Sequence, residues 1–139
     1  MSIEPTGTGL QLRSLVKKTG ELELSLASVP IPTLESDEVL IRIEASPLNP
    51  SDLALLFGGA DMNTAKASGT PARPVITAAV PEQAMRALAG RLDEPMPVGN
   101  EGAGVIVKAG SSEVAQALLG KTVAVFGGAM YAQYRAVKA

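Results

Sequence analysis

Apolar and polar positions alternate in several short runs, and these runs set the elements the chain is expected to form. From Leu10 to Val16, Leu10, Leu12 and Leu15 are apolar with Gln11 and Arg13 between them, which predicts a strand. Lys17-Lys18-Thr19-Gly20 is a polar turn with a permissive glycine. Glu21-Leu22-Glu23-Leu24-Ser25-Leu26 alternates strictly, the period of a strand with one wet face and one buried face. The two runs read as a β-hairpin. Val29-Pro30-Ile31-Pro32 is extended, because each proline fixes its own φ and restricts the residue before it. Asp37 to Ala45 is the clearest strand: Val39, Ile41, Ile43 and Ala45 share one face, and Leu40, Arg42 and Glu44 the other.

Ser46-Pro47-Leu48-Asn49-Pro50-Ser51-Asp52 interrupts the alternation. Two prolines impose an irregular turn, and Asn49-Pro50-Ser51-Asp52 is a helix-start signal, so Asp52 to Phe57 reads as a short helix ended by Gly58-Gly59. Residues 60–80 are small and polar, contain Pro71 and Pro74, show no period, and read as a loop. Pro81 to Leu92 reads as a helix of about three turns. Pro81 suits its first position, Glu82 its positive end, and Met85, Leu88 and Leu92 form its apolar stripe.

Pro95-Met96-Pro97 is extended, and Gly99-Asn100-Glu101-Gly102-Ala103-Gly104 leads into a strand at Val105-Ile106-Val107. Ser111-Ser112-Glu113 caps a short helix, Val114 to Leu119, closed by Gly120. Lys121 to Phe126 is a strand, Gly127-Gly128 a turn, and Met130 to Val137 a last strand. Tyr131 and Tyr134 are three apart in it, so they point to opposite faces and one is expected in the core. Many short strands without regular long helices between them predict a mainly β domain with a few short helices. An antiparallel sheet or partly open β-barrel fits better than a βαβ arrangement.

Composition narrows this further. At 139 residues the chain is one domain, and 46% hydrophobic residues argue against disorder. Only two Tyr and two Phe are present, with no Trp, so the core must be aliphatic. The net charge is -2 with no basic run, which gives nucleic-acid binding no electrostatic support. No apolar run approaches the roughly 18 residues of a membrane span. Met1-Ser2-Ile3-Glu4-Pro5 lacks the basic start and apolar stretch of a signal peptide. The expectation is a soluble cytoplasmic protein. Cys and His are both absent from the sequence. Disulfides, thiolate catalysis and imidazole acid–base catalysis are thereby excluded, and a zinc site would have to use carboxylates alone.

Three stretches carry a resemblance. Ala45-Ser46-Pro47-Leu48-Asn49-Pro50-Ser51-Asp52 looks like the NPxD turn of quinone-oxidoreductase-like proteins. Pro97-Val98-Gly99-Asn100-Glu101-Gly102-Ala103-Gly104-Val105 is similar to PxGxExAGxV. Gly120-Lys121-Thr122-Val123-Ala124-Val125, followed by Gly128-Ala129-Met130-Tyr131-Ala132-Gln133-Tyr134, is similar to GDRV…GxYAEY. In that order and spacing, and with the opening hairpin, they resemble the medium-chain dehydrogenase/reductase superfamily. The match covers about residues 10–137, apart from an unusual loop-plus-helix stretch near 59–96. The resemblance implies a GroES-like, partly open β-barrel that serves as an N-terminal catalytic domain over residues 1–139. It also implies a C-terminal Rossmann domain, absent here, whose glycine fingerprint would cradle a dinucleotide. No G-x-G-x-x-G run leads from a strand into a long helix in this sequence. The expectation is a chain cut at a domain boundary.

In zinc-dependent relatives a Cys stands where Asn49 stands and a His where Asn100 stands, and the cysteine-rich structural-zinc lobe has no counterpart here. The resemblance therefore implies the zinc-free branch of quinone and enoyl reductases, usually NADPH-dependent. The Tyr and Arg that quinone reductases often carry after the Asp of the turn are replaced by Leu53-Ala54-Leu55-Leu56.

Candidate site residues follow, each beside a plainer role. Asn49 would donate an amide at the mouth of the cleft or, with Pro50, orient the nicotinamide; alternatively it tolerates an awkward turn backbone. Ser51 would donate a hydroxyl to a substrate carbonyl, or cap the helix. Asp52 is structural, through capping. Asn100, at the former ligand position, lines the substrate cleft. Glu101 is a structural carboxylate whose burial would need a mate, with Arg13, Arg42 and Arg135 as candidates. No sequence feature supports a tyrosine as general acid. The 81–92 helix packs over the barrel, or lies beside the cleft as a lid.

The function implied is reduction of a quinone or an electron-poor double bond by NADPH, without metal, on a small-molecule substrate, by a parent protein that forms a homodimer through the absent domain. This chain alone would be inactive. The alternative is a self-contained GroES-like binding or oligomerisation module without enzyme activity, in one version a ring like those of the co-chaperonins.

Overall fold

The computed structural model describes residues 7–139, so the reading of Met1 to Pro5 as lacking a signal falls outside the described residues. The opening hairpin is formed by β1 (Thr8–Lys17) and β2 (Glu21–Pro30). They are joined through a turn in which the Gly20 N–H donates to the Lys17 carbonyl at 2.9 Å. Strict alternation in β2 does what the period predicts: Leu22 and Leu24 are buried while Glu21 and Glu23 are not. In β1 the buried positions near the turn are Ser14 and Val16, so a polar side chain occupies the inward row.

Among the described residues there are nine strands and three short α-helices, as expected for a mainly β chain. The remaining strands are β3 (Glu38–Ala45), β4 (Asp61–Thr70), β5 (Arg73–Ala79), β6 (Met96–Pro97), β7 (Glu101–Ala109), β8 (Thr122–Phe126) and β9 (Tyr134–Lys138). The helices are α1 (Pro50–Phe57), α2 (Glu82–Ala87) and α3 (Glu113–Leu118). The strands form two open sheets, ordered β4-β5-β2-β1-β6 and β8-β7-β3-β9, and neither closes on itself.

The chain clusters into two compact bodies. The first holds residues 7–11, Ser28–Pro47 and Gly99–Ala139. Its sheet is antiparallel, with β3 between β7 and β9. Val39, Ile41 and Ile106 from the two central strands pack with Ala115 of α3, and Val123, Val125 and Val137 close around them. The core is aliphatic, as the composition requires. Leu40 is also fully buried, so both rows of β3 lose contact with solvent near its start.

The second body holds Leu12–Ala27 and Leu48–Val98. Its buried apolar side chains include Val16, Leu22, Leu24, Leu56, Ala78, Val80 and Val98. Here the structure corrects the reading of 60–80 as loop. β4 and β5 form a hairpin linked through Pro71-Ala72, with Thr70 opposite Arg73, and β5 pairs along β2 from Glu21 with Ala79 to Ser25 with Val75. Every residue of β4 is exposed, so neither face needed apolar side chains and no period-2 signal was written into it. A register shift between Asp61 and Lys66 further disturbs the pattern.

The 81–92 segment is also shorter in helix than its stripe suggested. α2 stops at Ala87, Leu88 turns to φ -98 and ψ 8, and a single 3-10 turn, Ala89–Arg91, follows. Pro81 is the N-cap residue with extended backbone, not the first helical position. The last strand begins at Tyr134 instead of Met130, because residues 127–131 bond elsewhere. Tyr131 and Tyr134 are each only half-buried, so neither supplies the core residue expected of the pair.

Candidate functional site

Two groups of residues carry the chemistry named from the sequence, one in each body. In the second body Asn49 is the N-cap of α1, with φ -95 and ψ 156, and Pro50 takes the first helical position, where its missing N–H costs nothing. The Asp52 Oδ2 accepts the Asn49 N–H at 2.8 Å, and the Asp52 N–H donates to the Asn49 carbonyl at 2.9 Å. Asp52 is 2% exposed, so its carboxylate is committed to holding this turn closed. Ser51 is exposed on the first turn of the helix, and Asn49 is half-buried beside it. The turn thus presents an amide and a hydroxyl on a backbone fixed by one proline and one buried acid.

In the first body the segments 46–47, 99–102 and 127–131 are locked together. Ser46 Oγ donates to the Met130 carbonyl at 2.9 Å, and the Tyr131 phenol donates to the Pro47 carbonyl at 2.9 Å. The Gly127 N–H donates to the Asn100 carbonyl at 2.7 Å, and the Met130 N–H to the Gly99 carbonyl at 3.2 Å. Met130, 1% exposed, anchors the loop from below. Ala129 sits at φ 63, a conformation that costs an L-residue about 1–2 kcal/mol and that these bonds hold in place. Gly99 also has a positive φ, +98, and a Cβ there would lie 2.6 Å from the Tyr131 ring and backbone nitrogen. Only glycine meets both demands at that point.

These segments border a groove of about 590 Å³ whose walls come from Ala45 to Pro47, Glu101 to Ala103 and Ala124 to Phe126. Ser46 and Glu101 supply its polar edge, and the rest is apolar or glycine. Phe126 is 88% exposed along it. Asn100, half-buried, immediately precedes Glu101 at the start of β7. Glu101 itself is half-buried rather than enclosed. Of the arginines named as its mates, Arg42 pairs with Glu44 at 2.7 Å, and Arg135 donates to the Gly128 and Ala136 carbonyls at 3.0 and 2.9 Å.

Sequence reasoning missed Phe126, Ser46 and the strut role of Tyr131. For Phe126 a signal existed. In β8, Val123 and Val125 turn inward, so Phe126 falls on the outward row with Thr122 and Ala124, an aromatic ring where a polar residue belongs. The Ser46 and Tyr131 contacts span 84 residues of sequence, and no local pattern encodes them.

Among the described residues no group of three or more His, Cys, Asp or Glu is placed to hold a metal, and the sequence contains no Cys or His to serve as a zinc ligand. Gly99 to Gly104 runs into β7 and Gly127-Gly128 precedes β9, so neither forms the strand–turn–helix cradle for a pyrophosphate. No helix among the described residues is long and apolar enough to cross a membrane.

Comparison with known proteins bears on the fold and the lineage. Residues 35–139 match the family described as the alcohol dehydrogenase GroES-like domain. A 49-residue stretch is 49% identical to a zinc-type alcohol dehydrogenase-like protein of Schizosaccharomyces pombe, covering 34% of this chain and 15% of that protein. Among solved structures, proteins provisionally described as NADPH:quinone reductases are similar. The one from Mesorhizobium loti has 22% identity and a TM-score of 0.55, over 99% of this chain and 36% of its own. The one from Bacillus thuringiensis has 22% identity and a TM-score of 0.58, over 95% of this chain and 31% of its own. The quinone oxidoreductase of Coxiella burnetii gives 21% and 0.53, over 96% and 35%. At those identities the likeness is one of fold. The chain spans 15% of the curated relative and about a third of the length of the structures. The family match extends over most of the chain, and on that ground it belongs to the alcohol dehydrogenase GroES-like domain family of the medium-chain dehydrogenase/reductase superfamily.

Proposed function

We propose that this chain is the substrate-side, N-terminal catalytic domain of a zinc-independent oxidoreductase that reduces quinones or electron-poor double bonds with NADPH. The observation that carries the reading is the groove of the first body, apolar along most of its length and edged by Ser46 and Glu101, in a chain of this family that has no Cys or His. An apolar groove with few polar groups suits a flat, neutral, electron-poor substrate. Phe126 offers such a ring an exposed aromatic face.

When bound, the nicotinamide supplies a hydride to an activated carbon. What the chain's own residues must add is modest: orientation, exclusion of water, and donors for the negative charge that develops on the acceptor oxygen. In this reading the Asn49 amide donates at the reacting end of the substrate or, with Pro50, orients the nicotinamide. Ser51 supplies a hydroxyl donor, and Asn100 lines the substrate cleft. Asp52 and Glu101 serve structure. The pyrophosphate has no cradle among the described residues, so the reading assigns most of the cofactor site to a C-terminal Rossmann domain of the parent protein. Cytoplasmic location and a homodimer formed through that domain belong to the same reading.

The test is calorimetry with NADPH on the chain alone, together with turnover by the full-length protein on a panel of quinones and enones. The reading expects no micromolar NADPH binding by the chain and NADPH oxidation by the full-length protein. Micromolar binding by the chain, or no turnover of any panel member, counts against it. A ring or other closed oligomer seen by light scattering, with no turnover, would favour a binding or oligomerisation module.

A further inference from the structure

The C-terminal end of α1 is held by side chains from two other elements of the second body. An isolated helix leaves its last four carbonyls without partners. In α1 all four are met. The Gly58 N–H reaches Ala54 O at 3.1 Å and the Ala60 N–H reaches Phe57 O at 2.9 Å. The two between them are taken by side chains: Arg91 Nη1 donates to Leu55 O at 2.9 Å, and Ser14 Oγ donates to Leu56 O at 2.8 Å. The two donors are themselves joined, since Arg91 Nη2 donates to Ser14 Oγ at 2.9 Å and to the Ser14 carbonyl at 3.3 Å.

This arrangement is expensive for what a helix end requires. Ser14 is fully buried in a strand row that otherwise carries apolar residues. The Nε of Arg91 is buried with no hydrogen-bond partner among the described residues. Burial lowers the Arg91 pKa, yet a guanidinium keeps its proton. A positive charge therefore stands at the negative end of the α1 dipole. Gly58 already closes α1 in the left-handed conformation, at φ 55, so Arg91 and Ser14 hold this helix end in addition to its glycine cap. What the pair adds is a fixed position and direction for a helix of only eight residues, whose opposite end is the Asn49 cap.

We propose that Arg91 and Ser14 are positioning residues: by gripping the Leu55 and Leu56 carbonyls they fix the axis of α1, and with it the orientation of Asn49 and Ser51 at its other end. The inference rests on the reading of Asn49 as part of the reductase site. It also gives the 3-10 turn at Ala89–Arg91 a role. The planar guanidinium fork of Arg91 holds three acceptors at fixed angles, whereas an ammonium is a compact point charge on a flexible stem with no fixed fork, so lysine should not substitute.

The experiment has two readouts. The first is NMR on the 139-residue chain, following exchange of the α1 amides and ordering of the Asn49 side-chain amide in wild type, Arg91→Lys, Arg91→Ala and Ser14→Ala. Arg91→Lys is expected to speed exchange in α1 about tenfold and to disorder the Asn49 amide, with β3 and β7 unchanged. Ser14→Ala, which keeps the guanidinium, is expected to show a smaller effect of the same kind, and it serves if the arginine variants fail to fold. The second readout is kinetics of the same variants in the full-length protein, where kcat should fall about tenfold while KM changes less than about twofold. An Asn49 amide as ordered in Arg91→Lys as in wild type overturns the proposal, as does disorder of Asn49 with kcat unchanged. If the wild-type protein turns over none of the panel while the NMR effects appear, the reductase reading fails and the grip on α1 stands.

Discussion

The phenol of Tyr131 donates a hydrogen bond to the carbonyl of Pro47, at 2.9 Å. It ties the loop before β9 to the end of β3, and it commits the phenol proton to a backbone acceptor. Tyr131→Phe is expected to cost about 0.5–1.5 kcal/mol, the worth of one such bond with part of its penalty met by water. Urea denaturation measures it. An unchanged midpoint would mean that the loop is held without the strut.

Gly99 is constrained twice, by its backbone and by its neighbour. Gly99→Ala would meet both a positive φ of +98 and a Cβ 2.6 Å from Tyr131, whereas Gly120→Ala meets a φ of +79 with open space around it. The second substitution isolates the backbone strain, about 1–2 kcal/mol. The first should destabilise by clearly more, because the ring and the backbone nitrogen must both move. Thermal unfolding of the two variants side by side decides it, and equal losses would contradict the close approach.

The contrast between these glycines shows what the sequence could convey. β2 was legible because one of its rows is buried, and β3 because Val39 and Ile41 are buried while Arg42 and Glu44 face outward; in each, burial writes a period into the residues. α1 was legible because Asn49, Pro50 and Asp52 are local helix-start chemistry. β4 was not, since all ten of its residues are exposed and its pairing with β5 rests on backbone bonds that any side chain permits. The site was legible only as far as its motifs. Asn49 and Asn100 stand out by their neighbours in sequence, but Phe126 needed its strand row, and Arg91 with Ser14 needed a contact across 77 residues.

Asp93 makes stability depend on acid. Its Oδ1 accepts the Lys18 N–H at 2.9 Å, and Oδ2 lies 3.3 Å from the Lys18 ammonium. The backbone bond first, and then the charge, hold its pKa below the ordinary 3.8. A carboxyl whose folded pKa lies below its unfolded one adds stability that is complete above the unfolded value and fades as pH falls through the folded one. Asp93→Asn should therefore be less stable than wild type at pH 7 and lose less than wild type on acidification below about pH 4. Its φ of 61 suits asparagine, so the backbone is undisturbed. Urea midpoints at the two pH values test this, and parallel acid losses in both proteins would refute it.

Phe126 separates function from fold. At 88% exposed it contributes little to the core, so Phe126→Ala should leave the unfolding midpoint almost unchanged. In the proposed reductase it should raise KM for a quinone, by roughly fivefold for the loss of one aromatic contact of about 1 kcal/mol. A large fall in stability with no change in KM would show that the ring serves packing and not substrate.

The most direct test of the whole account is NADPH oxidation by the full-length protein with a quinone or enone acceptor, measured before and after exhaustive chelation and again with Asn49→Ala. The account predicts turnover that chelation leaves unchanged and that the substitution lowers by about a hundredfold, the usual loss of an oriented donor at the reacting atoms. Turnover abolished by chelation and restored by zinc would contradict it, as would full activity in the Asn49→Ala protein.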